Sequence, residues 1–200
     1  MASKSALAIM LSKLKQFSNP KPELEQYSTD SETAAEILWN ACMLGDIAGK
    51  TIADLGAGTG ILGIGCIALN AKKVYFVEID DDAAAVLKIN IEGWKNCAII
   101  QSDAAEFDRQ VDTIVMNPPF GVQKRKADKV FVETAFKAAK AVYYIGKIES
   151  KGFIEAMCRE NKKIITHFFE FILPLKKTMK HHTKDSKKIK IGCWRIVSLR

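Results

Sequence analysis

The sequence predicts an α/β fold, with a mostly parallel β-sheet, helices on both faces and an antiparallel hairpin at the carboxyl-terminal edge. Three observations lead to this prediction. Short strand-like segments alternate with segments of helical periodicity over most of the 200 residues. A glycine-rich turn, Gly56-Ala57-Gly58-Thr59-Gly60, joins the first strand segment to a helix. The last two strand segments have no helix between them, so we expect them to pair antiparallel.

Seven strand segments and the helices around them can be placed in chain order, and they suggest a single domain. Apolar residues at helical spacing predict a first helix over residues 4–17, and Thr29 or Ser31 is the expected cap of a second helix. The later helices are expected at residues 61–69, 81–94, 128–140 and 149–160. The strands are expected at residues 51–55, 74–77, 97–100, 111–116, 141–145, 164–173 and 189–199.

Composition excludes several classes of protein. The apolar fraction of 48% is ordinary for a globular chain, and no apolar run approaches the roughly 20 residues that span a membrane. The five cysteines are scattered without a C-x-x-C pair, so neither a zinc site nor a redox motif is indicated and we expect no metal. The first residues resemble an amphipathic helix rather than a secretion signal, and a cytoplasmic location is expected.

The net charge of +7 is concentrated near the carboxyl terminus. Residues 151–200 contain 13 Lys and Arg against 4 Asp and Glu, giving +9, while residues 1–150 contain 17 against 19, giving −2. Seven lysines lie between Lys176 and Lys190, with Asp185 as the single acid. Such a run favours a polyanionic partner, although a solvated loop that only aids solubility has the same composition.

The tetrapeptide Asn117-Pro118-Pro119-Phe120 follows an apolar run and is the strongest functional signal. The amide oxygen of Asn117 and the carbonyl of Pro118 can both accept hydrogen bonds from one NH₂ group. The two prolines fix φ and so preorganise these acceptors, and Phe120 offers a face for stacking. We therefore predict that all four residues are catalytic. For an isolated Asn-Pro, the alternative is a turn that ends a strand.

Acidic residues at the ends of successive strands predict an adenosine-bearing cofactor beside the glycine turn. Glu78 ends the second strand and can accept both ribose hydroxyls, while Asp103 ends the third and can accept from an adenine amine. Asp54 would repel a pyrophosphate but attract a sulfonium or α-ammonium group, which favours S-adenosylmethionine over a dinucleotide. The expected cofactor contacts are Asp54, Gly56, Gly58, Thr59, Gly60, Ile61, Glu78, Ile79, Asp103 and Asn117.

The glycine turn and Asn-Pro-Pro-Phe together resemble the two main motifs of class I S-adenosylmethionine-dependent methyltransferases that act on amino nitrogen. More closely, the chain resembles the methyltransferase-like protein 5 family over nearly its whole length. Residues 24–29, Leu-Glu-Gln-Tyr-Ser-Thr, are similar to the Leu-Glu-Gln-Tyr-Pro-Thr of that family, and residues 116–121 match its Met-Asn-Pro-Pro-Phe-Gly. Ser28 replaces the usual proline, and Glu78 stands where relatives carry Asp.

This resemblance implies a seven-stranded Rossmann-like methyltransferase sheet, with residues 1–45 as a helical, cofactor-covering extension and residues 46–200 as the catalytic domain. It implies that Gln26 and Thr29 fold over the methionine part of the cofactor. The implied reaction is methylation of adenosine N6 in structured RNA, namely small-subunit ribosomal RNA, with S-adenosylhomocysteine as product. Eukaryotic members need a small zinc-binding activator protein that pairs with a sheet edge, and an exposed edge at residues 97–100 would suit such a partner.

Basic and aromatic residues near the tetrapeptide are predicted to bind RNA. Lys124, Arg125 and Lys126 follow it directly and are placed to contact phosphates, while Tyr27 and Phe120 are expected to sandwich the base. Such phosphate contacts give affinity and position rather than sequence reading. For residues 124–126 the alternative is a solvated turn. A second group of phosphate contacts is expected at Lys176, Lys177, Lys180, His181, Lys184, Lys187 and Lys188.

Three other functions remain open from the sequence. A protein glutamine-N5 methyltransferase acting on a release factor meets the same NH₂ geometry, but such enzymes usually carry Tyr where this chain has Phe120. A DNA adenine methyltransferase is expected to add a target-recognition domain, which the sequence does not suggest. A non-catalytic RNA-binding module would have no need of Asn117.

Overall fold

A seven-stranded β-sheet forms the centre of the protein. The computed structural model describes residues 3–17, 21, 29–119, 127–174 and 188–199. The strands are β1 (Thr51–Leu55), β2 (Lys73–Val77), β3 (Cys97–Ile100), β4 (Val111–Met116), β5 (Ala139–Lys147), β6 (Lys163–Pro174) and β7 (Lys188–Ser198). The helices are α1 (Lys4–Ser12), α2 (Ser31–Met43), α3 (Ile61–Ala68), α4 (Asp81–Asn90), α5 (Ala127–Ala138) and α6 (Lys151–Glu160).

The strand order is β3-β2-β1-β4-β5-β7-β6. Strands β1 to β5 pair in parallel, and β7 is antiparallel to both β5 and β6. The predicted mostly parallel sheet with a carboxyl-terminal antiparallel hairpin is thus confirmed. The order reverses between β1 and β4, and open α/β sheets bind ligands beside such a reversal, at the carboxyl ends of the strands.

Helices cover both faces of the sheet, as predicted. On one face α1, α2 and α3 join the strands in one buried cluster through residues such as Leu11, Leu38 and Ile64, with α1 packed against α2 and α3. On the other face α5 and α6 contribute Val132 and Ile154 to a second buried cluster. No helix in the described parts of the chain is long and apolar enough to cross a membrane.

Several predicted helix ends differ from the structure, among them the end of α5, which is Ala138 rather than residue 140. Helix α1 ends at Ser12 rather than residue 17, because Lys13 closes it and the residues that follow contact other elements. Helix α4 ends at Asn90 rather than residue 94, since the chain turns at Gly93, where φ is 87°. Helix α6 begins at Lys151, after a short 3-10 turn over Ile148–Ser150.

The cap of α2 also differs from the prediction. Neither Thr29 nor Ser31 caps this helix. Asp30 does so, because its Oδ1 accepts hydrogen bonds from the backbone N–H groups of Glu32 and Thr33, both at 3.1 Å. An aspartate in this position satisfies two of the donors that a helix start leaves unpaired.

The last two strands project beyond the rest of the sheet as a ribbon. Met116, at the end of β4, pairs with Tyr144, which pairs with Trp194, which pairs with Phe168. From that level β7 extends six residues back to Lys188, which at 3.3 Å per residue is about 20 Å. Strand β5 stops earlier, so the outer pairs join β6 and β7 alone. The ribbon therefore projects from the end of the sheet where β1 to β5 have their carboxyl ends.

An ion pair joins β7 to the connection between α2 and β1, toward the opposite end of the sheet. Arg195 of β7 donates from Nε to Asp46 Oδ2 at 2.7 Å and from Nη2 to Oδ1 at 3.2 Å, and the side chains are only 16% and 14% exposed. The hydroxyl of Tyr143 donates to the same carboxylate at 2.6 Å. Burial, together with this bond to Asp46, raises the pKa of Tyr143 above its ordinary value. The cluster ties the connection between α2 and β1 to β5 and β7.

Candidate active site at the carboxyl ends of the strands

The glycine turn between β1 and α3 has a backbone conformation that favours glycine and is held by hydrogen bonds to β2. Gly56, Gly58 and Gly60 have φ values of 69°, 55° and 92°, which favour glycine. The N–H of Gly56 donates to the carbonyl of Val77 at 2.9 Å, which holds the turn against the end of β2. A Cβ atom at Gly60 would overlap the side chain of Leu87 in α4. The turn therefore presents its backbone in a fixed position beside the strand ends.

Asp54 lies inside the protein, at 1% exposure. Its Oδ2 accepts a hydrogen bond from the backbone N–H of Gly63 in α3 at 2.8 Å. Burial raises the pKa of Asp54 from 3.8 to about 7; the Gly63 bond opposes this rise, and the nearby Glu78 carboxylate adds to it. The predicted attraction of a cationic group by Asp54 stays a prediction. The hydrogen bond from Gly63 joins β1 to the first turn of α3, and so links the two elements on either side of the glycine turn.

Glu78, at the end of β2, directs its carboxylate to the glycine turn. Its Oε2 accepts from the N–H of Gly58 at 2.6 Å, and its Oε1 accepts from the N–H of Asp80 at 2.8 Å. Burial raises the pKa of Glu78 above the ordinary value of a glutamate. Each carboxylate oxygen has a further lone pair, so the group can still accept hydrogen bonds from ribose hydroxyls.

Asp103 follows β3 and has an exposed side chain. Its Oδ1 accepts from the backbone N–H of Ala105 at 2.9 Å and so begins a short 3-10 turn. The carboxylate keeps the capacity to accept from an amino group in solvent. Among the other predicted cofactor contacts, Thr59 and Ile61 are buried, and Ile79 is 57% exposed.

The side-chain amide of Asn117 is hydrogen-bonded through its nitrogen, and its oxygen has no partner among the residues described. Its Nδ2 donates to Oγ1 of Thr29 at 3.0 Å, and Thr29 is 4% exposed. Its Oδ1 is buried and has no hydrogen-bond partner among the described residues. A buried acceptor without a donor costs about 1–3 kcal/mol and is uncommon, so it marks a place for a donor. Pro118, which follows, is buried, and Pro119 is half-buried.

A segment that the sequence analysis missed lies against the glycine turn. The ring of Phe17 covers Gly58, where a Cβ atom would come within 2.9 Å of its Cζ. The backbone of Lys15 exchanges two hydrogen bonds of 2.9 Å with the side chain of Asn90. Asn90 Nδ2 also donates to the carbonyl of Thr59 at 2.9 Å. We call residues 15–17 and 21 the N-terminal strap.

Lys21 holds the strap at the start of α4. Its Nζ pairs with the carboxylate of Asp80 and lies 2.9 Å from Oδ2 of Asp82. The hydrogen bond to Asp80, followed by that to Asp82, raises the pKa of Lys21. The strap is therefore attached at both ends of α4, and its contacts link positions too far apart in sequence for any local pattern to reveal.

Many of the predicted residues lie outside the described parts of the chain. These are Gln26, Tyr27, Phe120, Lys124, Arg125, Lys126, Lys176, Lys177, Lys180, His181, Lys184 and Lys187. Lys188 begins β7, and its backbone pairs with Pro174 at the outer end of the ribbon. The residues that flank the basic segment 175–187 are therefore at the same end of the sheet as Asn117.

Comparison with known proteins identifies the family. Residues 27–164 match the methyltransferase small domain family. The crystal structure of a candidate RNA methyltransferase from Pyrococcus horikoshii is 41% identical, with a TM-score of 0.92 and coverage of 100% of both chains. The rRNA N(6)-adenosine-methyltransferase METTL5 of Danio rerio is 32% identical over 184 residues, which is 88% of this chain and 89% of its own. The Drosophila melanogaster protein of the same description is 30% identical over 195 residues, 90% of this chain and 89% of its own. These matches confirm the resemblance, and the chain belongs to the methyltransferase small domain family of S-adenosylmethionine-dependent enzymes.

Proposed function

We propose that the protein methylates N6 of an adenosine in ribosomal RNA, and that this RNA belongs to the small subunit. The zebrafish and fruit-fly relatives are named as rRNA N(6)-adenosine methyltransferases. The P. horikoshii protein is described as a candidate RNA methyltransferase. A ribosomal substrate also accords with the cytoplasmic location expected from the sequence.

The observation that carries this proposal is the buried Oδ1 of Asn117, which has no hydrogen-bond partner in the part of the chain that the structure describes. Because the other end of the amide already donates to Thr29, the atom left for a ligand is an acceptor. It therefore selects a ligand that donates. The backbone carbonyl of Pro118 is a second acceptor next in the chain, and an exocyclic NH₂ group has one N–H bond for each of the two.

The cofactor supplies a methyl group that is activated by its bond to a sulfonium. The N6 lone pair of adenine is delocalised into the ring, so the protein has to increase the nucleophilicity of this amine. It also has to orient the nitrogen toward the methyl group. Acceptance of both N–H bonds by Asn117 and Pro118 increases the electron density on nitrogen, and positioning of this kind can supply several kcal/mol. Phe120 and Tyr27 are proposed to stack on the base. The amine proton then leaves to solvent, and we assign no dedicated base.

The residues at the ends of β1, β2 and β3 fit the cofactor. Glu78 is proposed to accept from the ribose hydroxyls, since both of its oxygens have lone pairs to spare. Asp103 is proposed to accept from the adenine amine, and its exposure supports this role. The glycine turn allows close approach of the backbone. Gln26 is proposed to fold over the methionine part.

Two basic segments are proposed to contact RNA phosphates, residues 124–126 and residues 176–188. The position of Pro174 and Lys188 at the active-site end of the sheet supports the second segment. If six or more phosphates are contacted, RNA affinity should fall by about a thousandfold between about 50 and 200 mM salt. An affinity that does not depend on salt would contradict these contacts.

We also propose that a small zinc-binding activator protein pairs with β3. This strand lies at the edge of the sheet, pairs only with β2 among the strands that the structure describes, and has four half-buried residues. An unpaired strand edge is a template for another chain. Full activity of the purified chain on its own would argue against a required partner.

One assay separates the candidate substrates. The protein is incubated with methyl-labelled cofactor and, in turn, with deproteinised ribosomal RNA, ribosomal subunits, duplex DNA and a release factor. We expect label at adenosine N6 in small-subunit RNA. An unpaired acceptor serves a glutamine amide equally well, so label in the release factor alone would replace the RNA proposal with the glutamine-N5 reaction.

The role of Asn117 is tested by Asn117→Ala. We expect methyl transfer to fall at least about a hundredfold, while the cofactor dissociation constant changes by no more than a few-fold. Asn161→Ala is the matched control, because this asparagine closes α6 at the opposite end of the sheet. A fully active Asn117→Ala variant would show that the amide does not hold the substrate amine.

A further inference from the structure

We infer that Thr29 holds the Asn117 amide in place with its oxygen available to the substrate amine, which makes Thr29 a positioning residue for methyl transfer. This inference deepens the proposed function and rests on the role proposed there for Asn117. It differs from the role that the family resemblance implies for Thr29, which is only to cover the cofactor.

The two ends of an asparagine amide have the same shape but opposite hydrogen-bonding character. Oδ1 accepts, whereas Nδ2 carries two donors. Rotation of the Asn117 amide by half a turn would bring its NH₂ group against the substrate amine, so that donors would face donors. A site that holds an amine through an asparagine therefore needs the amide to be held in place with its oxygen toward the amine.

Thr29 makes the contact that holds the amide. Its Oγ1 accepts from Nδ2 of Asn117 at 3.0 Å, and its 4% exposure limits competition from water. In this orientation Oδ1 has no partner among the described residues, as an incoming amine requires. The hydroxyl could also donate to Oδ1 of a reversed amide, so Thr29 fixes the place of the side chain, and the N–H donors of the bound amine favour the orientation in which Oδ1 faces them. The observed bond also polarises the amide and increases the negative charge on Oδ1.

Both partners of this hydrogen bond are rigidly placed. Thr29 directly precedes Asp30, which caps α2 by accepting from the N–H groups of Glu32 and Thr33. Asn117 directly follows β4, which is hydrogen-bonded on both sides. Two well-anchored elements thus meet across 88 positions of sequence. A side chain held in this way keeps the geometry that a reacting group needs.

Thr29→Val tests the inference, because it replaces the hydroxyl with a methyl group of similar size. We expect the single-turnover rate at saturating cofactor and RNA to fall by about 10- to 100-fold, with a cofactor dissociation constant within about threefold of wild type. Thr29→Ser keeps the hydroxyl and should retain the rate within about threefold. Thr33→Val, the same change one turn into α2, is the control and should leave the rate unchanged.

Several outcomes would overturn the inference. One is a Thr29→Val variant with the full rate, and another is a loss that a higher cofactor concentration restores, since Thr29 would then act on cofactor binding alone. A Thr29→Ser variant as slow as Thr29→Val would show that the hydroxyl does not by itself account for the rate. If Thr29→Val does not fold, as judged by its melting curve, Thr29→Ala provides the same comparison.

Asn117→Ala distinguishes this inference from the proposed function. An active Asn117→Ala variant would remove the proposed function itself. An inactive Asn117→Ala variant beside a fully active Thr29→Val variant would remove only the inference. In the double variant, Thr29→Val should add little to the loss caused by Asn117→Ala, because Thr29 acts through that amide.

Discussion

Asp54→Asn is expected to stabilise the protein at high pH, although it removes an acid beside the glycine turn. Burial raises the pKa of Asp54 from 3.8 to about 7. A carboxyl group with a higher pKa in the folded state binds its proton more tightly there, so the folded state loses stability as the pH rises from about 4 to about 7. Asparagine is neutral throughout this range and avoids the loss.

The size of the effect follows from the pKa difference. A rise of about three units, at about 1.4 kcal/mol per unit, costs the folded state on the order of 4 kcal/mol above pH 7. Asparagine keeps an oxygen that can accept from Gly63, but its buried NH₂ group needs an acceptor, at a cost of about 1–3 kcal/mol. We therefore expect a net gain of about 1–3 kcal/mol at about pH 8 and no gain at about pH 5.

Urea unfolding at these two pH values measures the difference. Asp103→Asn is the matched control, because its carboxylate is exposed and asparagine caps equally well, so its effect should stay within about 0.5 kcal/mol. An Asp54→Asn variant that is no more stable than the wild type at about pH 8 would refute the reasoning. So would a stability difference that is the same at both pH values.

Two further predictions concern the N-terminal strap and the far end of the sheet. Phe17→Ala removes the ring that covers Gly58 and should weaken S-adenosylmethionine binding by about tenfold in calorimetry; an unchanged affinity would exclude the strap from the cofactor site. Arg195→Met leaves the Asp46 carboxylate without its ion-pair partner and should cost about 2–4 kcal/mol in urea unfolding, with no effect on cofactor affinity. Lys140→Met should cost less than about 1 kcal/mol, since its side chain is 86% exposed, and equal costs for the two variants would contradict this account.

The positions of the site residues along the chain were predictable because their signals are local. The glycine turn, Glu78 and Asn117 each directly follow an apolar run of strand length, and Asp103 follows one closely. In a parallel sheet the carboxyl ends of the strands lie on the same side, so residues that follow the strands can be predicted to lie close together. The antiparallel hairpin was also predictable from the sequence, because no helix separates its two strands.

The contacts that orient these residues were not predictable from local pattern. The bond between Thr29 and Asn117 and the packing of Phe17 on Gly58 join segments that only the folded chain brings together. Asp54 illustrates a second limit. Its place before the glycines indicated a charged residue near a ligand, but not that its carboxylate would turn inward to α3. Side-chain direction depends on tertiary packing, which residue spacing does not encode.

The ribbon formed by β6 and β7 has a consequence for how this enzyme can change. At its outer pairs, Ile172 to Pro174 on β6 with residues 188–190 of β7, the described strands β6 and β7 pair only with each other, because β5 ends opposite Ile191. Two-stranded ribbons are marginally stable alone, so we expect the outer backbone amides to exchange with solvent faster than those of the central strands. Sequence changes there leave the seven-stranded core and the strand ends around Asn117 untouched. If the basic segment that the ribbon carries contacts RNA as proposed, changes in the ribbon would then alter RNA affinity without altering the site of methyl transfer.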